Sequence, residues 1–272
     1  MRLLDMAATP FWEKPYLQAG SGGVTQAATL PFLRALVDVL PSEVEALLVC
    51  SDLQGRESMP PGKPPAALLG EALLNDLTLL AETGEIPELR RCGALLLGDL
   101  YADPDLRARG IHGEVGGVWR AFAEHTRWVV GVAGNHDLID HPPVTGQSHA
   151  YLLDGSTLDI SGLRIGGVSG IIGAVKHGRE WRRSEAAFVH AMRTILRAGP
   201  DILLLHQGPN STAAEGSGHS RIRATLEAAP PTLTLCGHVH WPTPLATLSN
   251  GGQVLNVDGR FVVLQAHPGH LS

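Results

Sequence analysis

The sequence is poor in cysteine and in long apolar runs, and each shortage excludes a kind of protein. Its three cysteines (Cys50, Cys92 and Cys236) are too few and too scattered for a disulfide framework. No apolar run approaches the ~20 residues that a membrane-spanning helix requires. The first residues also lack the basic and apolar segments of a signal peptide. We therefore expect buried free thiols, no membrane span and a cytoplasmic protein.

The sequence also lacks an excess of positive charge and is poor in aromatic residues. Its formal net charge of −6 argues against binding of long nucleic acids through a basic face. A small phosphorylated substrate stays compatible with this charge, because bound cations would reverse the local potential. Aromatic residues make up 5% of the chain and hydrophobic residues 44%, which predicts a mainly aliphatic core. The length fits one large α/β domain over residues 1–272.

Short apolar runs alternate with helical patterns along most of the chain. Residues 1–45 precede the first motif: residues 1–28 are expected to form an irregular lead-in, followed by a helix over Leu30–Leu40 that ends before Pro41. Further helices are predicted at 66–81, 115–125, 181–197 and 222–228, and strands at 46–51, 94–97, 128–132, 157–160, 163–168, 201–205 and 232–236. This alternation predicts a largely parallel sheet, and the β-rich tail at 245–266 predicts a second sheet packed near it.

Five of these strand-like runs end in a residue that can bind a metal ion. The five residues are Asp52, Asp99, Asn135, His206 and His238. In open α/β sheets the functional site lies beyond the carboxyl ends of the strands, so these side chains should converge in one crevice. Taken singly, each has an ordinary explanation, such as a turn aspartate or an interior histidine. Their recurrence at strand ends favours a metal site.

The motifs around these residues resemble those of the calcineurin-like metallophosphoesterases. The family motifs run Asp-x-His, Gly-Asp, Gly-Asn-His-Asp/Glu, a lone His after a strand, and Gly-His-x-His. In this chain they read, in the same order, Asp52-Leu53-Gln54, Gly98-Asp99, Gly134-Asn135-His136-Asp137, His206 and Gly237-His238-Val239-His240. The resemblance covers residues 46 to about 242. It implies a metallo-dependent phosphatase-like fold, a four-layer α-β-β-α sandwich with two mixed β-sheets.

The resemblance also implies a role for each motif residue. Asp99 would bridge two metal ions, Asp52 and His240 would complete the first site, and the second site would be completed by Asn135, His206 and His238. His136 would give a proton to the leaving oxygen, with Asp137 orienting its ring. The cofactors would be two divalent transition-metal ions, with manganese favoured and iron, zinc or cobalt as alternatives. They would activate water for hydrolysis of a phosphomonoester or a phosphodiester.

The sequence departs from the family pattern at two places. Gln54 stands where the family has histidine: it could ligate, hold a metal-bound water, or leave the first site poorly occupied. Our hypothesis is that two metal ions bind and that the first site is the weaker. The phosphate-binding arginine of the phosphoprotein phosphatases is also missing after Asp99. Arg56, His177 and His219 are candidates for substrate binding, although each could be an ordinary surface residue.

The alternative function is a catalytically degenerate binding or scaffold module with the same fold. The loss of histidine at position 54 is its only support in the sequence, whereas the retained His136 favours an enzyme. The sequence does not specify the ester or the oligomeric state.

Overall fold

The computed structural model describes residues 1–58, 66–139, 149–175, 181–211 and 218–270. Within these ranges the chain forms four α-helices: α1 (Leu69–Glu82), α2 (Gly116–His125), α3 (Glu185–Arg197) and α4 (Ser220–Glu227). Short 3-10 helices lie at Ser21–Gly23, Leu89–Arg91 and Pro268–His270. No helix in the described ranges is long and apolar enough to cross a membrane.

The larger of the two main sheets has nine strands, and strands are numbered here along the whole chain. They are β1 (Leu3–Met6), β2 (Trp12–Ala19), β3 (Thr25–Val37), β4 (Ala46–Cys50), β5 (Arg56–Glu57), β6 (Cys92–Leu96), β8 (Trp128–Gly131), β10 (Ala150–Leu152) and β19 (Phe261–Ala266). Their order is β10-β8-β6-β4-β19-β3-β2-β5, and β1 also pairs with β3. The sheet is mixed: β4, β6, β8 and β10 run parallel, whereas β19 is antiparallel to β4.

The second main sheet has six strands in the order β11-β12-β15-β16-β18-β17. These strands are β11 (Ser156–Ile160), β12 (Leu163–Val168), β15 (Ile202–Gln207), β16 (Leu233–Gly237), β17 (Leu245–Thr247) and β18 (Gln253–Asn256). Its central strands are parallel and both edge strands are antiparallel. Two further ribbons pair β7 (Gly113–Glu114) with β9 (Asp137–Leu138) and β13 (Ile171–Ile172) with β14 (Arg182–Arg183).

Three apolar clusters separate four layers of secondary structure. The first cluster packs α1 and α2 against the large sheet, for example through Leu73 and Trp119. The second lies between the two sheets and contains Leu47 and Ile165. The third packs α3 and α4 against the second sheet, for example through Phe188. The predicted α-β-β-α sandwich with two mixed sheets is therefore confirmed.

The prediction for the N-terminal residues is wrong. The segment expected to be a lead-in and a helix over Leu30–Leu40 contains three strands, and β3 pairs with β1, β2 and β19. Leu30 and Phe32 enter the cluster under α1, whereas Ala35 and Val37 enter the cluster between the sheets. A strand that is buried on both faces has apolar residues at spacings that also fit a helix. Pairing with β19, more than 220 residues away in sequence, makes this segment a strand and not a helix.

Most other predicted elements are found with shifted ends. The helix predicted from Trp181 begins instead at Glu185, because the Ser184 hydroxyl accepts a hydrogen bond from the Ala187 N–H and caps it. The tail forms three strands, and Asn250 and Gly251 lie in the turn between β17 and β18. All three cysteines are free and buried, as predicted.

Candidate metal centre

The polar residues at the strand ends meet where the two sheets face each other. Asp52, Asp99 and Asn135 follow β4, β6 and β8, which are adjacent parallel strands of the large sheet. His206 lies near the end of β15, and His238 directly follows β16, its parallel neighbour in the second sheet. The carboxyl ends of parallel strands share one edge of a sheet. The sheet order therefore brings five residues that are far apart in sequence to one crevice.

The backbone is strained at three of these residues. Asp52, Asp99 and His238 have φ angles of 55°, 53° and 69°. Only a few per cent of non-glycine residues adopt positive φ, and the structure has five in its described ranges. Such strain persists where surrounding contacts enforce it, and it is concentrated at functional sites. At these three residues the strained backbone turns the chain sharply after a strand.

The glycines of the motifs allow the strand ends to approach closely. A Cβ atom at Gly98 would overlap the backbone of Gly134, and one at Gly134 would overlap the backbone and carboxylate of Asp99. A Cβ atom at Gly237 would overlap the carboxylate of Asp52. These three positions therefore need glycine because the loops carrying the polar side chains are in contact.

The residues predicted for the second metal site lie close together. Asp99, His206 and His238 each offer a ligand atom, and these atoms all lie within 4.8 Å of one another, the one such group in the described part of the chain. The Nε2 atom of His206 is 3.5 Å from Oδ2 of Asp99, and the ring centroids of His206 and His238 are 5.0 Å apart. Asn135 is buried and follows β8, the neighbour of the strand that precedes Asp99.

Two buried atoms at the second site have no hydrogen-bond partner among the described residues. They are Oδ1 of Asn135 and Nε2 of His206. Nδ1 of His206 lies 2.7 Å from the Leu97 carbonyl oxygen and must donate to it, which leaves Nε2 as a free acceptor when the ring is neutral. Buried polar atoms without partners are costly. A cation would satisfy Oδ1 of Asn135, and it would bind Nε2 of His206 in place of the proton that faces Asp99. The donor set of this site therefore fits a divalent metal ion.

The charge states of the two histidines differ in the metal-free protein. Burial and the neighbouring His206 lower the pKa of His238 to about 4, so its ring is neutral. Burial alone would lower the pKa of His206 also, but the Asp99 carboxylate beside it raises that pKa to about 10. A metal ion must therefore displace a proton from His206, while His238 is ready to ligate.

The first metal site is less complete. The side-chain Nε2 of Gln54 donates to Oδ2 of Asp99 at 3.0 Å, and Oδ2 of Asp52 accepts from the His238 N–H at 2.8 Å. His240 is 57% exposed and directs its ring elsewhere. Its Nδ1 lies 3.1 Å from the Asp258 carbonyl oxygen, and its Nε2 lies 3.1 Å from Nη2 of Arg260. A cation at this nitrogen would have to replace the Arg260 contact.

Asp258 and Arg260 are site residues that the sequence analysis missed. Residue 258 forms a parallel bridge with Ser51 beside the end of β4, and burial raises the pKa of the Asp258 carboxyl. Its charge also raises the pKa of Asp52, after the larger effect of burial. Both residues follow β18, the neighbour of β16. The rule that functional residues follow the carboxyl ends of strands would have found them if it had been applied to residues 245–266.

The structure differs from the prediction that Asp137 orients the ring of His136. The Asp137 carboxylate accepts hydrogen bonds from the backbone N–H groups of Asp99, Leu100 and Gly134 at 2.8–2.9 Å. It therefore holds two loops together and does not orient the His136 ring. The ring instead contacts His112, with ring centroids 4.9 Å apart. Pairing of β7 with β9 brings the two rings together, and no local sequence signal indicates this.

The candidates for substrate binding are placed differently from the expectation. Arg56 is buried, and its guanidinium donates to the carbonyl oxygens of Ala66, Ala102 and Asp103 at 2.6–3.0 Å. It is therefore neither a surface arginine nor a free phosphate-binding group, and it braces the loop after Asp99. His219 precedes α4, where its ring accepts from the Arg221 N–H at 3.3 Å. His177 lies outside the described residues.

The fold and the donor set define a metal-dependent hydrolase of phosphate esters. A family model described as calcineurin-like phosphoesterase matches residues 46–242, and the chain belongs to this family of metallophosphoesterases. Membership implies a centre of two divalent metal ions.

Two solved structures are similar in fold. TT1561 of Thermus thermophilus is 14% identical with a TM-score of 0.54, and the match covers 79% of this chain and 90% of that one. A dimetal phosphatase from Danio rerio is 13% identical with a TM-score of 0.51, and the match covers 84% of this chain and 94% of that one. No curated protein matches this sequence. At these identities the likeness concerns the fold alone.

Replacing Gln54 by histidine should strengthen the first site. An imidazole is a better donor than a carboxamide for zinc, iron or cobalt, so we expect affinity at this site to rise by about tenfold or more. The metal content of desalted protein, measured by elemental analysis after loading with Zn²⁺, should move from about one toward two ions per chain if the first site is the weaker. Gln26→His adds a histidine on the exposed part of β3 and serves as the control. An unchanged metal content in Gln54→His would contradict the assignment of residue 54 to the site.

Proposed function

We propose that this protein hydrolyses the phosphomonoester or phosphodiester of a small molecule with two divalent metal ions, of which the first is the more weakly held. One observation carries the proposal: Asp99, His206 and His238 present clustered ligand atoms and Asn135 has a buried Oδ1 without a hydrogen-bond partner, next to a half-buried histidine, His136. Oxygen and nitrogen donors of this mixture suit manganese, with iron, zinc or cobalt as alternatives.

The metal ligands and His136 would have different roles in hydrolysis. Bound metal ions would supply activation of water and neutralisation of charge on the phosphoryl oxygens. Asp52 and Asp99 would hold the metal ions from strand-end loops that contact each other, and the first ion would have to displace Arg260 from His240. Water adds to phosphorus, the bond from phosphorus to the leaving oxygen breaks, and His136 gives that oxygen a proton. No covalent intermediate with the protein is needed.

A degenerate binding module is the second candidate function. The contact between Nη2 of Arg260 and Nε2 of His240 favours it, because it engages a nitrogen that the first metal ion would need. The retained His136 and the compact second site favour the enzyme, since a module that only binds a partner has no need of a proton donor.

The test is hydrolysis of bis(p-nitrophenyl) phosphate and p-nitrophenyl phosphate by protein stripped with a chelator and resupplied with Mn²⁺. We expect restored turnover at least about 10²-fold above that of the stripped protein, because the metal ions supply several kcal/mol of charge stabilisation. Circular dichroism of the stripped protein confirms that the fold is retained. Absence of turnover on both esters with any of Mn²⁺, Fe²⁺, Zn²⁺ or Co²⁺ would contradict the proposed function and support the binding module.

A further inference from the structure

A pocket lies directly beside the candidate metal centre on the His136 side. Its walls are formed by the end of β2 and by the loop that follows Asp99, and the side chain of Gln54 contributes to one wall. The same side chain donates to Asp99, so this wall adjoins the metal site. Gly110 forms another wall, and a Cβ atom there would lie 3.1 Å from Cε1 of His136. The Gly110 wall of the pocket therefore lies next to the ring that would protonate the leaving oxygen.

The pocket is small and polar. Its volume is about 200 Å³. Besides Tyr101, four residues with polar side chains line it: Gln18, Gln54, Asp103 and Arg109. Carboxamides both donate and accept, a carboxylate accepts and a guanidinium donates. This mixture of donors and acceptors matches hydroxyl groups, each of which also donates and accepts.

The polar groups of the pocket are held in position. Nε of Arg109 donates to the Ala19 carbonyl oxygen at 2.6 Å, which fixes the guanidinium against β2. The Asp103 carboxylate accepts from the N–H groups of Arg107 and Ala108 at 2.9 and 3.0 Å. Arg56 braces the backbone of the same loop. A prearranged site loses less entropy on binding a ligand than a loose one does.

We propose that this leaving-group pocket binds the alcohol half of the substrate, and that the substrate is the phosphate monoester of a small polyhydroxylated alcohol, either a polyol or a single sugar. The inference rests on the proposed function and adds the substrate class to it. Hydrolysis would transfer the phosphoryl group to water, and the alcohol would leave with its oxygen protonated.

Other classes of leaving group fit the pocket less well. The base of a nucleoside would need flat apolar walls, whereas Tyr101 is the one aromatic residue in the wall and its ring packs against Gly113. An acyl chain would leave the four polar side chains without partners. Hydroxyl groups satisfy all four side chains.

The test compares esters that differ in the alcohol. Mn²⁺-loaded protein is assayed for phosphate release from glycerol phosphate, glucose phosphate, adenosine monophosphate and p-nitrophenyl phosphate. We expect kcat/KM for the better of the first two to exceed that for adenosine monophosphate by at least about tenfold, the effect of one or two hydrogen bonds. Gln18→Ala and Arg109→Ala should each raise KM for the preferred ester by about tenfold with little change in kcat. Arg107→Ala, on the exposed part of the same loop, is the matched control.

The outcomes separate the substrate class from the function. Turnover of p-nitrophenyl phosphate without a preference for the polyol or sugar ester would overturn the pocket assignment and leave the phosphoesterase in place. Unchanged KM in both pocket variants would also overturn it, whereas a raised KM in Gln18→Ala alone would support it even if Arg109→Ala loosens the loop. Failure to hydrolyse any of the four esters would contradict the proposed function itself.

Discussion

Replacing Asp99 by alanine should remove metal from both sites and lower turnover by about 10³-fold or more, because loss of the metal ions forfeits several kcal/mol of transition-state stabilisation. Its carboxylate contacts residues assigned to both sites. Oδ2 accepts from Gln54 of the first site at 3.0 Å and lies 3.5 Å from Nε2 of His206 in the second. Without it, each site loses its shared anionic ligand.

The measurement combines elemental analysis with turnover of p-nitrophenyl phosphate under excess Mn²⁺. Asp105→Ala changes an exposed carboxylate on the neighbouring loop and should behave as the unsubstituted protein. Asp99→Asn keeps the shape of the side chain and tests whether the charge is what matters. Turnover of Asp99→Ala within about tenfold of the unsubstituted protein would contradict a bridging role, since a tenfold loss is worth about 1.4 kcal/mol.

Asp99 should also control the pKa of His206 in the metal-free protein. Burial opposes the charged ring, but this carboxylate outweighs it and raises the pKa of His206 from its usual 6.5 to about 10. A raised pKa means that the folded state binds the proton more tightly, so the contribution to stability is present below pH 6.5 and is lost as the pH rises through 10. In Asp99→Ala burial remains and most of the attraction is gone. The pKa of His206 should therefore fall, and titration of histidine NMR signals in metal-free protein would measure the change.

The sequence predicts the position of those residues that depend on local features of the chain. A short apolar run followed by a glycine and a polar residue predicts a buried strand and its end, and neighbouring parallel strands bring their ends together. For this reason the convergence of Asp99, Asn135 and His206 could be inferred from the amino-acid pattern alone. The motif glycines at 98, 134 and 237 belong to the same local pattern, since each permits the contact that its neighbours make.

The features that were missed depend on contacts between distant parts of the chain. The β3 strand is defined by pairing with β19, and no pattern within residues 25–37 distinguishes it from a helix. His112 becomes a neighbour of His136 through a two-residue ribbon, which is too short to leave a periodic signal. Arg56 was misplaced because its burial depends on three carbonyl oxygens that the fold supplies. Sequence patterns report which faces are apolar, and they do not report such partners.

Replacing His136 by alanine should slow hydrolysis of alkyl phosphates by about 10²–10⁴-fold, the usual contribution of a positioned proton donor. The metal content should stay the same. The substitution keeps the backbone N–H of residue 136, which donates to Oδ1 of Asp99 at 2.9 Å, so the loop that carries Asn135 is retained. Burial lowers the pKa of the free His136 ring, and the negative charge of a bound phosphate ester would favour its protonated form.

The dependence on the leaving group distinguishes proton donation from a structural role. Departure of p-nitrophenolate needs little help from a proton, so His136→Ala should slow p-nitrophenyl phosphate much less than glycerol phosphate. His190→Ala, on the exposed face of α3, controls for removal of a histidine. Equal losses on the two esters would mean that the ring supports the site or binds phosphate, and the proton donor would then have to be sought elsewhere. The neighbouring His112, whose buried Nε2 has no partner among the described residues, would be the first group to test.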